Sequence, residues 1–265
     1  MTTLQVIILA IVQGLTEFLP ISSSGHLVLV PYLFGWVDQG LAFDVAVHFG
    51  SLIAVILFFQ RDIVGLLRGG VQVLGGNLSS VESRLALGIA LATAPVALAG
   101  LAFVDWIEAN LRSPFIIVFT LSGYGVLMII ADRFGKRQRD ITGMRVRDAV
   151  LIGFVQALAL VPGTSRSGIT ITAARFMGFE RQDAARFSFL LAVPAILLAT
   201  GYSLLGLLNG DTAVAWGQLA TGVIVSAVVA YLSIEFFMRF VSRIGLLPFA
   251  IYRLILAAVI IYALV

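Results

Sequence analysis

The stretch QGLTEFLPISSSGH, from Gln13 to His26, places polar groups inside apolar sequence. It holds a carboxylate, a proline, three consecutive serines and a histidine, and apolar residues flank it on both sides. A proline inside a helix removes a hydrogen bond and breaks or kinks the helix, so Pro20 predicts an interruption. Irregular polar backbone at membrane depth is tolerated where protein or a water-filled cavity surrounds it. The stretch therefore indicates a pocket and not a lipid-facing surface.

The composition is that of an integral membrane protein. Of 265 residues, 60% are hydrophobic and only 12% are charged, whereas a soluble domain carries about 25% charged residues. The apolar runs do not alternate, which favours spanning helices over a β-barrel. The net charge of +3 fits basic cytoplasmic loops and does not indicate nucleic-acid binding. The lack of cysteine excludes disulfides and thiolate catalysis.

Six apolar stretches are long enough to cross a membrane, which takes about 17–25 residues per helix. They cover residues 43–60, 85–104, 114–131, 186–208, 214–238 and 248–265. Basic residues gather in alternate connections, above all in 132–147, whereas the loop around 209–211 has none and the loop after the second span has only Arg112. Because basic loops stay cytoplasmic, both chain ends are expected outside.

Two further apolar segments, 3–30 and 148–178, are interrupted by Pro, Ser and Gly. The helical part of the first would extend about 22 Å, which is too short for a hydrocarbon core of about 30 Å. Both are therefore predicted to be re-entrant helix–loop–helix hairpins. The predicted fold class is an all-α integral membrane protein with six transmembrane helices plus these two hairpins.

The two hairpins are similar in sequence. VQGLTEFLPISSSG (12–25) matches VQALALVPGTSRSG (155–168) at an offset of 143 residues. Equivalent positions hold Gln13 and Gln156, Leu15 and Leu158, Ser24 and Ser167, and Gly25 and Gly168. This match predicts an internal repeat.

The topology indicates an inverted repeat. Three spans follow each hairpin, so the second half enters from the opposite side. A single membrane domain, 1–265, is predicted, with repeats at about 1–131 and 148–265 joined by the basic cytoplasmic loop 132–147. In such repeats broken helices meet near the bilayer midplane, and both polar loops are expected to line one pocket.

The second loop, PGTSRSGIT (162–170), combines groups that bind phosphate. Arg166 offers a fixed fork of donors, and a helix that begins after the turn would point its N–H groups into the loop. The other predicted substrate-binding residues here are Gly163, Ser165, Ser167 and Thr170. Because an arginine inside a membrane is costly and usually functional, anion binding is favoured. The alternative is an Arg166 that pairs with a carboxylate to hold two helices together.

In the first loop, Gln13 and Glu17 are four residues apart and share one helix face. Their oxygens suit a hard divalent cation, Mg²⁺ or Ca²⁺, and Glu17 can instead act as a base. The alternative is a Glu17 that balances Arg166, which is compatible with either role.

The remaining polar groups of the first loop are its serines and its histidine. Ser22, Ser23 and Ser24 are candidates for substrate binding, and a serine beside a carboxylate and a histidine can be an activated nucleophile. Helix capping or a turn explains the same serines equally well. His26 is predicted to be catalytic, although a lone histidine is often structural. His48 and Asp44 are interpreted as supporting or structural residues.

At these two loops the chain resembles the undecaprenyl-diphosphate phosphatase family, also called the bacitracin-resistance protein family. The resemblance rests on QGLTEFLPISSSGH and PGTSRSGIT and extends over the whole chain in length, hydropathy and order of motifs. It implies hydrolysis of a C55 isoprenoid diphosphate to the monophosphate, which recycles the lipid carrier of cell-wall synthesis and gives bacitracin resistance. It also implies a divalent cation, a homodimer and the bacterial plasma membrane.

The resemblance also implies residue roles. Gln13 and Glu17 would form the acidic motif, and the active site would hold Ser22, Ser23 and His26, with Ser165, Arg166 and Thr170 on the phosphates. The first acidic position is Gln13 and not Glu. Members use either residue, but a neutral residue at this position weakens the inference that both positions bind a metal.

The predicted reaction takes a diphosphate from the outer face of the membrane, while the polyprenyl tail stays among apolar helices. Ser23 is the predicted nucleophile, with water as the alternative. Glu17 is the base or cation ligand, His26 relays a proton or protonates the leaving group, and Arg166 neutralises developing charge.

Two other functional classes remain at this point. A polyprenyl-phosphate transporter would use the same pocket, since inverted repeats with broken helices are typical of transporters. A membrane scaffold would need neither Glu17 nor Arg166. Release of phosphate by the purified protein separates the classes.

Overall fold

The computed structural model describes residues 1–111, 113–208 and 215–264, and regular structure within them is helical. The helices are α1 Thr3–Thr16, α2 Ser23–Phe34, α3 Leu41–Phe58, α4 Gln60–Leu74, α5 Val81–Asn110, α6 Pro114–Phe134, α7 Val146–Ala157, α8 Arg166–Phe176, α9 Arg181–Leu208, α10 Trp216–Ile244 and α11 Leu247–Leu264. The sequence predictions for Arg112, for the loop at 209–211 and for the end of the last span fall outside the described residues.

Five helices in the described part of the chain are long and apolar enough to cross a membrane: α3, α5, α6, α9 and α10. They correspond to the first five predicted spans, so the expectation of a helical membrane protein is confirmed. The sixth predicted span corresponds to α11, a shorter apolar helix over Leu247–Ala263. Its crossing stays a prediction.

The connection between the first two spans contains a helix that was not predicted. The connection 61–84, which carries Arg61, Arg68 and Arg84, was expected to be a basic loop, but its first part belongs to α4, Gln60–Leu74. The chain turns at Phe59, which is buried, and α4 then packs along α5. A Cβ atom on Gly69 would lie 2.3 Å from the Glu82 carbonyl oxygen, so the two backbones are in direct contact.

Each of the two interrupted segments folds into two short helices with a polar loop between them. α1 has 14 residues and α7 has 12, which corresponds to about 21 Å and about 18 Å at the usual rise per residue. Both are shorter than a hydrocarbon core of about 30 Å. The helix–loop–helix form is therefore present, and re-entry from one membrane face stays a prediction.

Close helix contacts place the first loop against the rest of the molecule. A Cβ atom on Gly14 of α1 would lie 2.8 Å from the Ser226 carbonyl oxygen of α10, and one on Gly50 of α3 would lie 2.0 Å from Ser226 Oγ. Small residues permit this approach between membrane helices. Both α1 and α3 are thus held against one point of α10, which brings Glu17 and His48 to the same side.

The core beneath the loops is aromatic. The Phe18 ring packs edge-on against Phe189 at a centroid distance of 5.2 Å, and Phe189 also contacts Phe59 and Phe237. Phe18 is fully buried. Because Phe18 follows Glu17 in the chain, its anchoring in the core fixes where the carboxylate lies.

From the sequence, Asp132, Asp140 and Asp148, which accompany the basic loop, are expected to form a solvated surface. Asp140 is exposed, but the expectation is wrong for the other two. Asp132 is 6% exposed and Asp148 is 5% exposed. Asp132 accepts from Arg181 Nη2 at 2.6 Å and from Arg175 Nε at 3.3 Å, and Asp148 pairs with Arg139. Neighbouring arginines can neutralise a carboxylate, which permits its burial. The region 132–147 is therefore partly a packed junction between α6, α8 and α9.

Candidate active site

The two polar loops meet across 149 residues of sequence. Arg166 Nη2 donates to Glu17 Oε1 at 3.0 Å, and Ser167 Oγ donates to the Leu19 carbonyl at 3.1 Å. The end of α1 and the start of α8 therefore form one site, as the sequence analysis expected.

Both loops end at a serine with an unusual backbone conformation. Ser22, the N-cap of α2, has φ 75°, and Ser165, the N-cap of α8, has φ 68°. A positive φ strains the backbone of a residue other than glycine, and such strain clusters at functional sites. Ser165 Oγ accepts from the Gly168 amide at 3.2 Å. α8 thus begins inside the second motif, which meets the condition for N–H groups that point into the loop.

Glu17 is the centre of the site. It is 8% exposed. Its Oε2 accepts from Ser23 Oγ at 2.7 Å and from Gln13 Nε2 at 3.1 Å, while Oε1 faces Arg166. A serine hydroxyl that donates to a carboxylate is the arrangement of an activated nucleophile and its base. This geometry suits proton removal from Ser23.

Arg166 presents its guanidinium to the cavity, and contacts with the protein hold this group in place. Nη1 donates to the Ser188 carbonyl at 3.2 Å, and the guanidinium carbon lies 5.8 Å from the Phe18 ring centroid. Its side chain is 14% exposed. A fixed, partly accessible guanidinium at a helix N-terminus suits a phosphate group.

A cavity of about 330 Å³ opens beside these groups. Its polar end is lined by Glu17, Ser23, Arg166 and His48, and by three of the predicted substrate-binding serines, Ser22, Ser24 and Ser165. The other walls are mainly apolar and come from α3, α5, α9 and residues 159–160, and they include the Asp44 carboxylate of α3. One polar end and apolar walls fit an amphipathic lipid with a charged head.

Four other predicted substrate-binding residues are not among those that line the cavity: Gln13, Gly163, Ser167 and Thr170. Thr170 is 1% exposed, and its hydroxyl lies 2.7 Å from Ser188 Oγ. Ser167 is fully buried and joins the two loops. Hydrogen bonds within the protein therefore occupy both of these hydroxyls.

The two histidines occupy different places. His26 is 7% exposed. Its Nδ1 donates to the Ser22 carbonyl at 2.7 Å, and Nε2 lies 2.6 Å from the Tyr252 hydroxyl. His48 lines the cavity, and its Nε2 lies 3.7 Å from Glu17 Oε2. The imidazole that faces the cavity is thus His48, which the sequence analysis interpreted as supporting, and the role of His26 stays a prediction.

One buried arginine was missed by the sequence analysis. Arg253 of α11 is 1% exposed and reaches carbonyls of both loops. An arginine within an apolar span is a functional candidate by default, so its position in 248–265 was a usable signal. Ser188, which contacts Arg166 and Thr170, has no comparable feature in the sequence that would mark it.

Two carboxylates of the described residues line the cavity, Glu17 and Asp44, and Asp44 Oδ1 accepts from Gln39 Nε2 at 2.9 Å. Within the described part of the chain, no three His, Cys, Asp or Glu side chains gather into a possible metal cluster. Gln13 Oε1 is buried and has no hydrogen-bond partner among the described residues. The groups suited to a hard cation are therefore Glu17 and the Gln13 oxygen.

Known proteins resemble this chain over nearly its whole length. The family model of the bacitracin resistance protein BacA matches residues 6–259. A protein of Nitrosococcus oceani named undecaprenyl-diphosphatase is 52% identical over 262 residues, which cover 99% of each chain. One of Hahella chejuensis with the same name is 51% identical over 97% of each chain, and undecaprenyl-diphosphatase 2 of Stutzerimonas stutzeri is 50% identical over 98% of this chain and 97% of its own. With such coverage, the chain belongs to the BacA bacitracin-resistance family.

Proposed function

We propose that this chain is an integral membrane phosphatase that hydrolyses undecaprenyl diphosphate to the monophosphate and inorganic phosphate. The observation that carries the proposal is the contact of Ser23, Glu17 and Arg166 at the polar end of an apolar-walled cavity. Relatives with this name share about half of their residues with the chain. The product is the lipid carrier of cell-wall synthesis, and its recycling accounts for bacitracin resistance.

In the proposed reaction the terminal phosphoryl group of the substrate binds between Arg166 and the start of α8. Ser23 Oγ attacks its phosphorus while Glu17 takes the hydroxyl proton. The bond to the bridging oxygen breaks, and undecaprenyl monophosphate leaves. Water then attacks the phosphoserine, which releases phosphate and restores the serine. Arg166 stabilises charge on the transferred group, which is the main catalytic task in phosphoryl transfer.

Proton delivery to the leaving group has two candidate imidazoles. The sequence favours His26, whereas His48 faces the cavity in the structure. Direct attack by water, with Glu17 as its base, is the alternative to Ser23.

A divalent cation is part of the proposal. Mg²⁺ is bound by one or two carboxylates together with substrate phosphates, and Glu17 with the unpartnered Gln13 oxygen fits this need. Bound there, the cation would neutralise phosphate charge. Chelation of divalent ions is expected to suppress phosphate release, and added Mg²⁺ or Ca²⁺ to restore it. Full activity in the presence of a chelator would contradict the cation.

The inverted repeat is supported by equivalent features of the two hairpins. Ser22 and Ser165, 143 residues apart, share positive φ angles. Ser22 Oγ lies 3.4 Å from Ser24 Oγ, and Ser165 Oγ lies 3.3 Å from Ser167 Oγ. α1 packs on α10 as α7 packs on α5. We therefore propose repeats at about 1–131 and 148–265.

We further propose that the protein lies in the bacterial plasma membrane with six spans, both termini outside and the cavity open to the outer face. The cavity is lined near the start of α3 by Leu41 and near the end of α9 by Ser203. Both positions are at the helix ends remote from the basic residues Arg61 and Arg181. Basic connections stay cytoplasmic, which supports this orientation.

A homodimer is implied by the family resemblance alone. All groups of the proposed reaction lie within one chain, so the chemistry does not need a second copy. The mass of the protein in nanodiscs tests the dimer.

The test of the function is phosphate release from undecaprenyl diphosphate by the purified protein in detergent. Arg166→Ala is expected to lower kcat by about 100- to 1,000-fold, the loss typical of one essential donor to a developing oxyanion. A transporter would bind the lipid and release no phosphate. Near-normal activity of Arg166→Ala in a folded protein would contradict the assigned role.

A further inference from the structure

Arg253 is a buried cation that the proposed chemistry does not use. It lies in α11 and is 1% exposed, and with Arg175 it is one of the largest fully buried side chains. Arg175 pairs with Asp132 and Arg166 pairs with Glu17. Arg253 forms no ion pair within 1–111, 113–208 and 215–264. An uncompensated buried charge is costly, so its surroundings must supply other partners.

The partners are backbone carbonyls from three places. Nε donates to Leu121 at 3.2 Å and Nη2 to Thr120 at 3.2 Å, both on α6. Nη2 also donates to Gly163 at 3.0 Å, and Nη1 donates to Pro20 at 3.5 Å. One planar guanidinium therefore joins α6, the first loop and the second loop. The fixed fork of arginine is what makes several simultaneous contacts possible.

The two loop carbonyls lie close in sequence to the reacting groups. Pro20 is three residues after Glu17, and Gly163 is three residues before Arg166. Pro20 and Gly163 are buried, and a buried backbone carbonyl outside a helix needs a hydrogen-bond donor. Arg253 donates to both carbonyls at once and so adds a third link between the loops, besides the Arg166–Glu17 and Ser167–Leu19 contacts.

The second loop has little freedom to move toward α6. Gly163 has φ +86°, and a Cβ atom there would lie 2.3 Å from Thr120 Oγ1. The same hydroxyl donates to the Pro162 carbonyl at 2.8 Å. The second loop thus packs directly on α6. Arg253, which also binds α6, connects this packed loop to the first loop.

We propose that Arg253 is a positioning residue for the phosphatase reaction, which holds the two loops at the separation that keeps Ser23, Glu17 and Arg166 in contact. The inference rests on the proposed function. Arg253 touches no reacting group and acts through the Pro20 and Gly163 carbonyls.

The experiment replaces Arg253 by Met and by Lys. A displacement of about 1 Å at a reacting centre costs about 100-fold in rate, so Arg253→Met is expected to lower kcat by about 100-fold while KM changes little. Arg253→Lys keeps the charge and some donors, and is expected to recover part of kcat. Arg175→Met is the matched control, a buried arginine at the α6–α8–α9 junction, for which a lower melting temperature with kcat near the parent value is expected.

A second readout measures loop separation directly. The chain has no cysteine, so Leu15→Cys and Leu158→Cys accept spin labels on the two hairpins. These residues are 45% and 47% exposed and lie outside the site. The label distance is expected to be narrow in the parent, broadened or shifted in Arg253→Met, and partly restored in Arg253→Lys.

A kcat within twofold of the parent in folded Arg253→Met, or a lost kcat with an unchanged distance distribution, would overturn the proposal. If Arg253→Met does not fold, the kcat and the label distance of Arg253→Lys test the proposal instead. A reduced kcat with a broadened distance supports the role, and parent values for both reject it. A parent protein that releases no phosphate would refute the proposed function, while the distance measurement would still test whether Arg253 sets the loop separation.

Discussion

At the scale of the residue, the site depends on one carboxylate with several donors. Ser23, Gln13 and Arg166 all donate to Glu17. Charge-assisted hydrogen bonds of this kind are stronger than neutral ones, so they fix the carboxylate firmly. In the proposed reaction the terminal phosphate of the substrate competes with Glu17 for the Arg166 guanidinium.

The role of Ser23 gives the first prediction at this scale. Ser23→Ala removes the attacking oxygen and is expected to lower kcat by at least about 100-fold, with little change in KM, because Arg166 and the cavity remain. Phosphate release measures the rate. Acid quenching with substrate labelled at the terminal phosphate is expected to trap label on the parent protein and not on Ser23→Ala.

The control for this prediction is Ser242→Ala, an exposed serine at the end of α10. Its kcat should equal that of the parent. Undiminished turnover by Ser23→Ala would assign the attack to water, with Glu17 as the base.

At the scale of the element, the helices follow from composition but their contacts do not. Long apolar runs predict spans because a bilayer core demands them. The short helix α4 was missed because its charged residues resemble those of a loop. Asp132 was interpreted as solvated since acidic residues in basic segments usually are, and only tertiary packing reveals that Arg175 and Arg181 enclose it.

The Asp132 junction carries a prediction about stability. Asp132→Asn leaves Arg175, which is fully buried, beside a neutral amide. Breaking a buried pair from one side costs about 3–5 kcal/mol, so a marked fall in the melting temperature is expected. The kcat of the folded fraction should stay near that of the parent, because the junction lies outside the cavity lining.

Glu235→Gln is the control, since the pair that Glu235 forms with Arg239 is exposed, with side chains 40% and 67% accessible. Exposed pairs contribute about 0–1 kcal/mol, so little change is expected. Equal melting temperatures for both variants would show that the Asp132 junction does not stabilise the fold.

At the scale of the whole molecule, the sequence repeat is related to the contact between the two loops. The residues that repeat at an offset of 143 predicted that the loops form one site, and Glu17 and Arg166 do meet. The contacts that hold the loops were not predictable, because Arg253 binds backbone carbonyls, and a carbonyl carries no sequence signature. His48 likewise reaches Glu17 only through the packing of α3 and α1 on α10.

The orientation of the whole molecule gives the last prediction, and the cysteine-free chain makes it testable. Val37, in the connection before α3, and Leu74, at the end of α4, are 88% and 90% exposed. Basic residues flank Leu74 in sequence and not Val37, so the positive-inside rule places them on opposite sides. In spheroplasts, a membrane-impermeant maleimide is expected to label Val37→Cys, but to label Leu74→Cys only after permeabilisation. The reverse pattern would place the cavity mouth in the cytoplasm, because Leu41, which lines the cavity, lies four residues after Val37.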